Sequence, residues 1–234
     1  MSENSDSLDE TFAAIAHQWR QPLSEINSLV SSIDNRLYAK GINDIAIEKE
    51  LSQIEQLTRK MSQSIDDFRN YFKKAAFTEQ KSYSLSGLLQ EISDEYRELF
   101  SKLGIAFSVE SKDVYSCDKE RSLLKQIIAT LLNNAKDALL ARSVYEAKVV
   151  IVVRKEEDFL LIEVKDNAGG ITKSAAAKLF EADFTTKHSS EGTGMGLYMV
   201  KKILDEKFCA EIDVKNVDKG ASFCIRLPLD KECE

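Results

Sequence analysis

Four short stretches of this sequence gather residues able to do chemistry. The first is His17-Gln18-Trp19-Arg20-Gln21-Pro22-Leu23. A neutral imidazole is a nucleophile near pH 7. On a helical wheel His17 points about 160° away from the centre of the local apolar stripe, so it is not a core histidine. Pro22 inside the same periodic run costs roughly 3 kcal/mol and kinks the helix. Beside an exposed nucleophile, that cost suggests a shaped site. Gln21 lies one turn from His17 on the same side, with Ser24 and Ser28 farther along. The second stretch, Gln126 to Ala138, is apolar and helical yet carries the tandem pair Asn133-Asn134, and Asn is a mediocre helix former. The third is Asp166-Asn167-Ala168-Gly169-Gly170-Ile171, directly after an apolar strand. The fourth runs from Leu179 through Phe180, Phe184, Thr186 and Lys187 to Gly192-Thr193-Gly194-Met195-Gly196-Leu197. Singly, each has an ordinary reading: a solvated histidine, a capping or surface asparagine pair, an Asp-Asn-Gly turn, a common Gly-x-Gly-x-Gly.

The elements that must hold these residues are legible from periodicity. Phe12, Ile15, Trp19, Leu23, Ile26, Val30, Ile33 and Leu37 step by three or four and fall in a stripe about 80° wide. Ile47, Leu51, Ile54, Leu57, Met61, Ile65, Phe68 and Phe72 make a second stripe. Between them Tyr38 to Asp44 reads as a turn, with Gly41 as helix stop and Asn43 or Asp44 as the next cap. Residues up to about Phe77 are thus an antiparallel hairpin of two long helices. Two helices cannot bury both near-heptad stripes, so a homodimeric four-helix bundle is expected; a coiled-coil spacer without chemistry is the plain alternative.

From about Gln80 the texture changes. Ser86 is the expected cap of a helix reaching Lys102, ended by Gly104. Strands are expected at Ile105–Val109, Val114–Cys117, Lys148–Val153, Phe159–Lys165, Glu211–Asn216 and Ala221–Leu227. Helices are expected at Glu120–Ala141, near Ser174–Leu179 and at Leu197–Phe208. The fold class is α + α/β: a helical hairpin, then one helical layer on a mixed sheet.

Composition narrows the function classes. Of 234 residues 43% are apolar, enough for one large domain or two small ones. Thirty-two basic against 39 acidic residues give −7, which disfavours a bulk electrostatic role on nucleic acid or anionic membrane. No apolar run is long enough to span a bilayer, and the acidic start is not expected to act as a secretory signal. Cys117, Cys209, Cys224 and Cys233 form no CxxC pair, and His17 and His188 are the only histidines. Reduced cytoplasmic thiols, without a disulfide framework or structural zinc, are expected. There is no Gly-x-x-x-x-Gly-Lys-Ser/Thr loop, no Gly-x-G-x-x-Gly after a strand, and no His-Arg-Asp with Asp-Phe-Gly.

The His17 string resembles the phosphoacceptor box of sensor histidine kinases, His-x-x-Arg-x-Pro-Leu. The order and spacing of the other three stretches resemble the N, G1, F and G2 boxes of the Bergerat (GHKL) ATP-binding fold, over about residues 83–229. The resemblance implies a dimerisation and phosphotransfer hairpin at 1–78, a linker at 79–82 and an ATP-binding α/β sandwich at 83–234. It implies that His17 takes the γ-phosphoryl group of ATP and passes it to an Asp of a response-regulator receiver domain. Gln21 stands where related kinases place an amide or hydroxyl that orients water for dephosphorylating the regulator.

Carried over position by position, Asn134 holds Mg²⁺ on the phosphates, since a neutral oxygen suits a hard cation. Asp137 lines the pocket one turn later. Asp166 accepts from the adenine amino group, where guanine presents an oxygen. Gly170, followed by Ile171, lets the backbone pass close to the base. Phe180 and Phe184 anchor a lid, with Thr186 and Lys187 at its hinge. Gly192, Thr193, Gly194, Met195, Gly196 and Leu197 bring backbone amides to the phosphates. Three positions depart from the pattern: Gln18 replaces the usual acidic general base, Thr130 the first Asn of the N box, and Ala168 the first Gly of Asp-x-Gly-x-Gly. The expectation is an ATP- and Mg²⁺-dependent, cytoplasmic, homodimeric histidine kinase core that touches neither nucleic acid nor membrane. It is either a soluble kinase or the cytoplasmic part of a longer membrane sensor. Gln18 keeps open a degenerate kinase that docks a receiver domain or acts as its phosphatase. A Bergerat-type ATPase coupled to conformational change is the remaining rival.

Overall fold

The structure is a computed structural model. It describes residues 3–72, 82–181, 184 and 195–229, with side chains from residue 21 onward except 60, 63, 64 and 66–72. Two compact units divide the chain, one built on helices and one on a sheet.

The helical unit is the expected hairpin of α1 (Glu3–Ala39) and α2 (Ile45–Phe72). Gly41 takes φ +65°, the left-handed stop that a side chain would resist. Asp44 caps α2: its Oδ1 accepts from the Ala46 N–H at 2.9 Å. The buried positions repeat by sevens, Leu23 and Val30 on α1, Leu51, Thr58 and Ile65 on α2, the spacing of a packed helix seam. Beside them lies a second, uncovered series: Ile26, Leu29, Ile33, Ile54, Leu57 and Met61 are each at least 39% exposed. The apolar stripes are therefore wider than one helix pair can cover.

The second unit opens with β1 (Tyr83–Ser84) and α3 (Leu85–Lys102), then β2 (Ala106–Ser111), β3 (Ser116–Cys117), α4 (Arg121–Ala141), β4 (Lys148–Glu156) and β5 (Phe159–Asp166). A short α5 (Lys173–Ala176) follows. Later come α6 (Met195–Ile203), with a π-helical continuation over Leu204–Phe208, then β6 (Glu211–Val217) and β7 (Gly220–Pro228). The main sheet runs β2-β4-β5-β7-β6. Only β2 and β4 are parallel; the other pairs are antiparallel. Alternation along the strands turns Val149, Ile151, Val153, Leu160, Ile162, Val164, Phe223, Ile225 and Leu227 to one face, all buried. Leu124, Ile127, Ile128, Leu131 and Leu132 of α4 are fully enclosed, and α4 packs on β4 and β5.

Several expectations shift. The α3 cap is Ser84, whose Oγ accepts from Gly87 N, not Ser86. The strand at Val114–Cys117 shrinks to Ser116–Cys117 and pairs with Tyr83–Ser84 in a separate ribbon. Thr172 caps the helix expected at Ser174, and that helix ends at Ala176. The helix expected from Leu197 starts at Met195. Cys209 is disulfide-bonded rather than reduced, because spacing along the chain says nothing of which thiols the fold brings together; Cys117 and Cys224 are free thiols. No helix among the described residues is long and apolar enough to cross a membrane.

Candidate functional site

Helix α4 decides which of its two asparagines is available. Asn133 is engaged within the protein: its Nδ2 donates to the Tyr96 hydroxyl at 3.1 Å and its Oδ1 accepts from Lys136 Nζ at 3.3 Å. The Tyr96 hydroxyl in turn donates to the Ala129 carbonyl, so this asparagine joins α3 to α4. Asn134 is different. Its Nδ2 is buried and has no partner. A buried amide left open costs free energy unless something else meets it. Asp137, one turn on, is ion-paired with Lys136 at 3.5 Å. Thr130 turns its hydroxyl back onto the Gln126 carbonyl at 2.9 Å, an ordinary intrahelical bond.

The end of β5 supplies the second group. Asp166 Oδ1 accepts from Ala168 N at 2.8 Å and Ala221 N at 3.3 Å. Those two bonds fix the carboxylate and leave Oδ2 for a donor. Burial pushes the Asp166 carboxyl above the usual carboxylate range; the two backbone N–H bonds and the nearby Arg142 charge oppose that rise without cancelling it. Gly169 and Gly170 both adopt positive φ, +88° and +76°. Ala168 does not, so the absence of glycine there costs no strain. A Cβ on Gly170 would sit 2.7 Å from Asn216 Oδ1, so that glycine is required on two counts.

Three flanking residues that sequence reasoning passed over hold this loop. Arg142, at the end of α4, reaches the carbonyls of Ala168 and Gly170 with one nitrogen. Asn216 on β6 grips both backbone groups of Ile171, each at 2.8 Å. Gly220, first in β7, passes so close that a Cβ would fall 1.7 Å from the Asp166 carbonyl oxygen. Asn167 fastens the loop to the approach of β4, accepting from Lys148 N and donating to Glu146 O. The only sequence signal for any of these was Gly220 in an Asp-Lys-Gly turn.

The remaining expected residues divide. Met195, Gly196 and Leu197 open α6, where backbone N–H groups lack helical acceptors. Phe180 is half-buried with Lys201 Nζ 5.9 Å from its ring centre, and Phe184 is half-buried. Thr186, Lys187, His188, Gly192, Thr193 and Gly194 lie outside the described residues. His17 lies on α1, its side chain also outside them. Gln21 is exposed on the same helix, next to Pro22.

No cluster of three or more His, Cys, Asp or Glu able to hold a metal exists among the described residues. The orphaned Nδ2 of Asn134 is a donor, which suits a phosphate oxygen; the Oδ1 of the same side chain is the atom type that suits Mg²⁺.

Residues 119–231 match the family described as histidine kinase-, DNA gyrase B- and HSP90-like ATPase. The two-component sensor PprA of Pseudomonas aeruginosa is 25% identical over 97% of this chain and 25% of its own length. The signal transduction histidine-protein kinase AtoS of Escherichia coli is 26% identical over 99% of this chain and 36% of its own length. The chain thus spans between a quarter and about a third of these curated relatives. The histidine kinase ThkA, solved in complex with the response regulator protein TrrA, superposes with a TM-score of 0.62 at 20% identity, over 97% of this chain and 64% of that one. Residues 119–231 thus carry the match to the histidine kinase-, DNA gyrase B- and HSP90-like ATPase family, and over nearly its whole length the chain is similar to histidine kinases.

Proposed function

We propose that this chain is an ATP-dependent protein-histidine kinase that phosphorylates its own His17 and hands the phosphoryl group to an aspartate of a response regulator. The observation that carries the reading is the pair of open groups on a GHKL scaffold: the unpartnered Nδ2 of Asn134, a donor suited to a phosphate oxygen, and the remaining oxygen of Asp166. In this reading Asp166 accepts from the adenine amino group. Gly170 and Ile171 pass beside the base, and the amides from Gly192 to Leu197 face the phosphates. Asn134 would hold Mg²⁺, which when bound neutralises phosphate charge. Asp137, Phe184, Thr186 and Lys187 complete the nucleotide's surroundings.

His17 then attacks the γ-phosphorus with a ring-nitrogen lone pair, the bond to the β–γ bridging oxygen breaks, and ADP leaves. Catalysis is mostly positioning and charge neutralisation. Gln18 cannot take a proton at neutral pH, so the ring must arrive deprotonated at its attacking nitrogen. Gln21 is exposed on the approach to Pro22, suited to orient water when a regulator is dephosphorylated.

We read residues 1–78 as the dimerising phosphoacceptor hairpin, 79–82 as linker and 83–234 as the ATP-binding domain. The uncovered series from Ile26 to Met61 supports a homodimer. The receiver partner follows the ThkA–TrrA precedent, and ATP and such partners put the work in the cytoplasm. The test is incubation with γ-labelled Mg-ATP, wild type against His17→Ala. Acid-labile, base-stable label on the wild type alone is the expected result. ATP binding without label would transfer the reading to a docking or phosphatase module, the role that Gln18 favours.

A further inference from the structure

Two of the side chains that shape the Asp166 loop come from outside it, and they are on the surface. Arg142 and Asn216 are both exposed residues, yet each has polar atoms fixed on loop backbone. Arg142 Nη1 donates to the Ala168 carbonyl and, at 2.9 Å, to the Gly170 carbonyl. Those two carbonyls straddle Gly169, whose missing Cβ would lie 3.2 Å from the same nitrogen. Asn216 Oδ1 accepts from Ile171 N and its Nδ2 donates to Ile171 O. The loop is thus held at its C-terminal half from β6 and at its centre from α4. Two successive residues at positive φ, Gly169 and Gly170, have no preference of their own to keep that shape.

We propose that Arg142 and Asn216 are positioning residues for the nucleotide base: they hold the Asp166–Ile171 loop in its base-accepting shape and so set affinity for ATP and discrimination against GTP. The proposal rests on the reading of Asp166 as the adenine acceptor. Arg142 has a second consequence, because it leaves the helix that carries Asn134 only two turns earlier. It ties the phosphate end of the site to the base end with one side chain. Both residues are exposed, so truncating either leaves the buried apolar face of the sheet as it is.

The experiment measures ATP and GTP dissociation constants by calorimetry on the full chain, with melting midpoints taken without nucleotide. Arg142→Ala and Asn216→Ala should each weaken ATP about tenfold, the equivalent of one charged or paired hydrogen bond. GTP binding should change little, so discrimination falls. Melting midpoints should stay within a few degrees. Arg142→Lys, which keeps the charge and one donor, should recover part of the loss. Unchanged ATP affinity in both alanine variants overturns the proposal, as does a loss that appears for ATP and GTP alike together with a lowered midpoint. Asp166→Asn run alongside separates the two readings. If it leaves ATP binding intact, the adenine-acceptor reading fails, whatever Arg142 does.

Discussion

In the proposed site Asp166 is a buried carboxylate kept for ligand binding against the interest of stability. Its pKa is raised, first by burial. The folded chain therefore holds that proton at pH values where the unfolded chain has lost it. Stability from this group is present at low pH and falls as pH rises from the ordinary aspartate value through the raised one. Asp166→Asn keeps an oxygen for Ala168 and Ala221 but turns a donor toward the adenine amino group. We expect ATP affinity to fall at least about tenfold, the loss of one well-placed hydrogen bond. The unliganded melting midpoint at pH 7.5 should rise or hold, with less gain at pH 4; a lower midpoint at neutral pH would count against the burial argument. The tandem asparagines give a paired test. Asn134→Ala should abolish measurable Mg-ATP binding at unchanged stability. Asn133→Ala should lower stability by about 1 kcal/mol, since the Tyr96 hydroxyl loses a partner, while ATP still binds. Reversed outcomes would reassign the open amide. The sequence named the asparagine through resemblance alone; nothing in its spacing shows that Asn133 is tied to Tyr96, 37 positions away.

At the scale of elements, most of the fold was legible because period carries it. The hairpin, α4 and the β4–β5 pair follow from stripes of 3.6 and 2 along the chain. What period could not show is tertiary. The β1–β3 ribbon joins segments more than 30 positions apart through two residues each, too short for any alternation. The proposed site was legible at the residues proposed to ligate and invisible at those that support them. Asn216 reads as an ordinary strand-end residue, and Arg142 as a helix-end cation of the usual kind. Gly220 reads as a turn glycine, but its φ is not positive; its need is space. A Cβ there would overlap the Asp166 carbonyl, so Gly220→Ala must push β7 from β5 at the site. Overpacking of this kind costs about 1–3 kcal/mol and more where backbone is the obstacle. Chemical denaturation should show that loss, and ATP affinity should fall with it; a neutral Gly220→Ala would mean the two strands part without penalty.

The molecule as a whole is more apolar along its hairpin than one copy can use. The buried sevens of Leu23, Val30, Leu51, Thr58 and Ile65 close the seam between α1 and α2. Thr58 is the polar member; its hydroxyl lies 3.1 Å from the Ile54 carbonyl and bonds to Asn27 across the seam, a device that fixes register at some cost in stability. The neighbouring series at Ile26, Leu29, Ile33, Ile54, Leu57 and Met61 lies in water in the single chain. Leu29 alone is 63% exposed, and burying such a side chain is worth about 1.5–3 kcal/mol. Six of them on one face give an interface the right composition for an obligate pair. A net charge of −7 per chain opposes pairing only weakly, because salt screens charges spread over two units. We therefore expect light scattering to give a mass of twice 26.3 kDa. Leu29→Asp combined with Leu57→Asp should give a monomer that still binds ATP, since neither residue belongs to the sheet unit. A wild-type monomer at micromolar concentration would refute the pairing, and the exposed stripe would then need a different occupant.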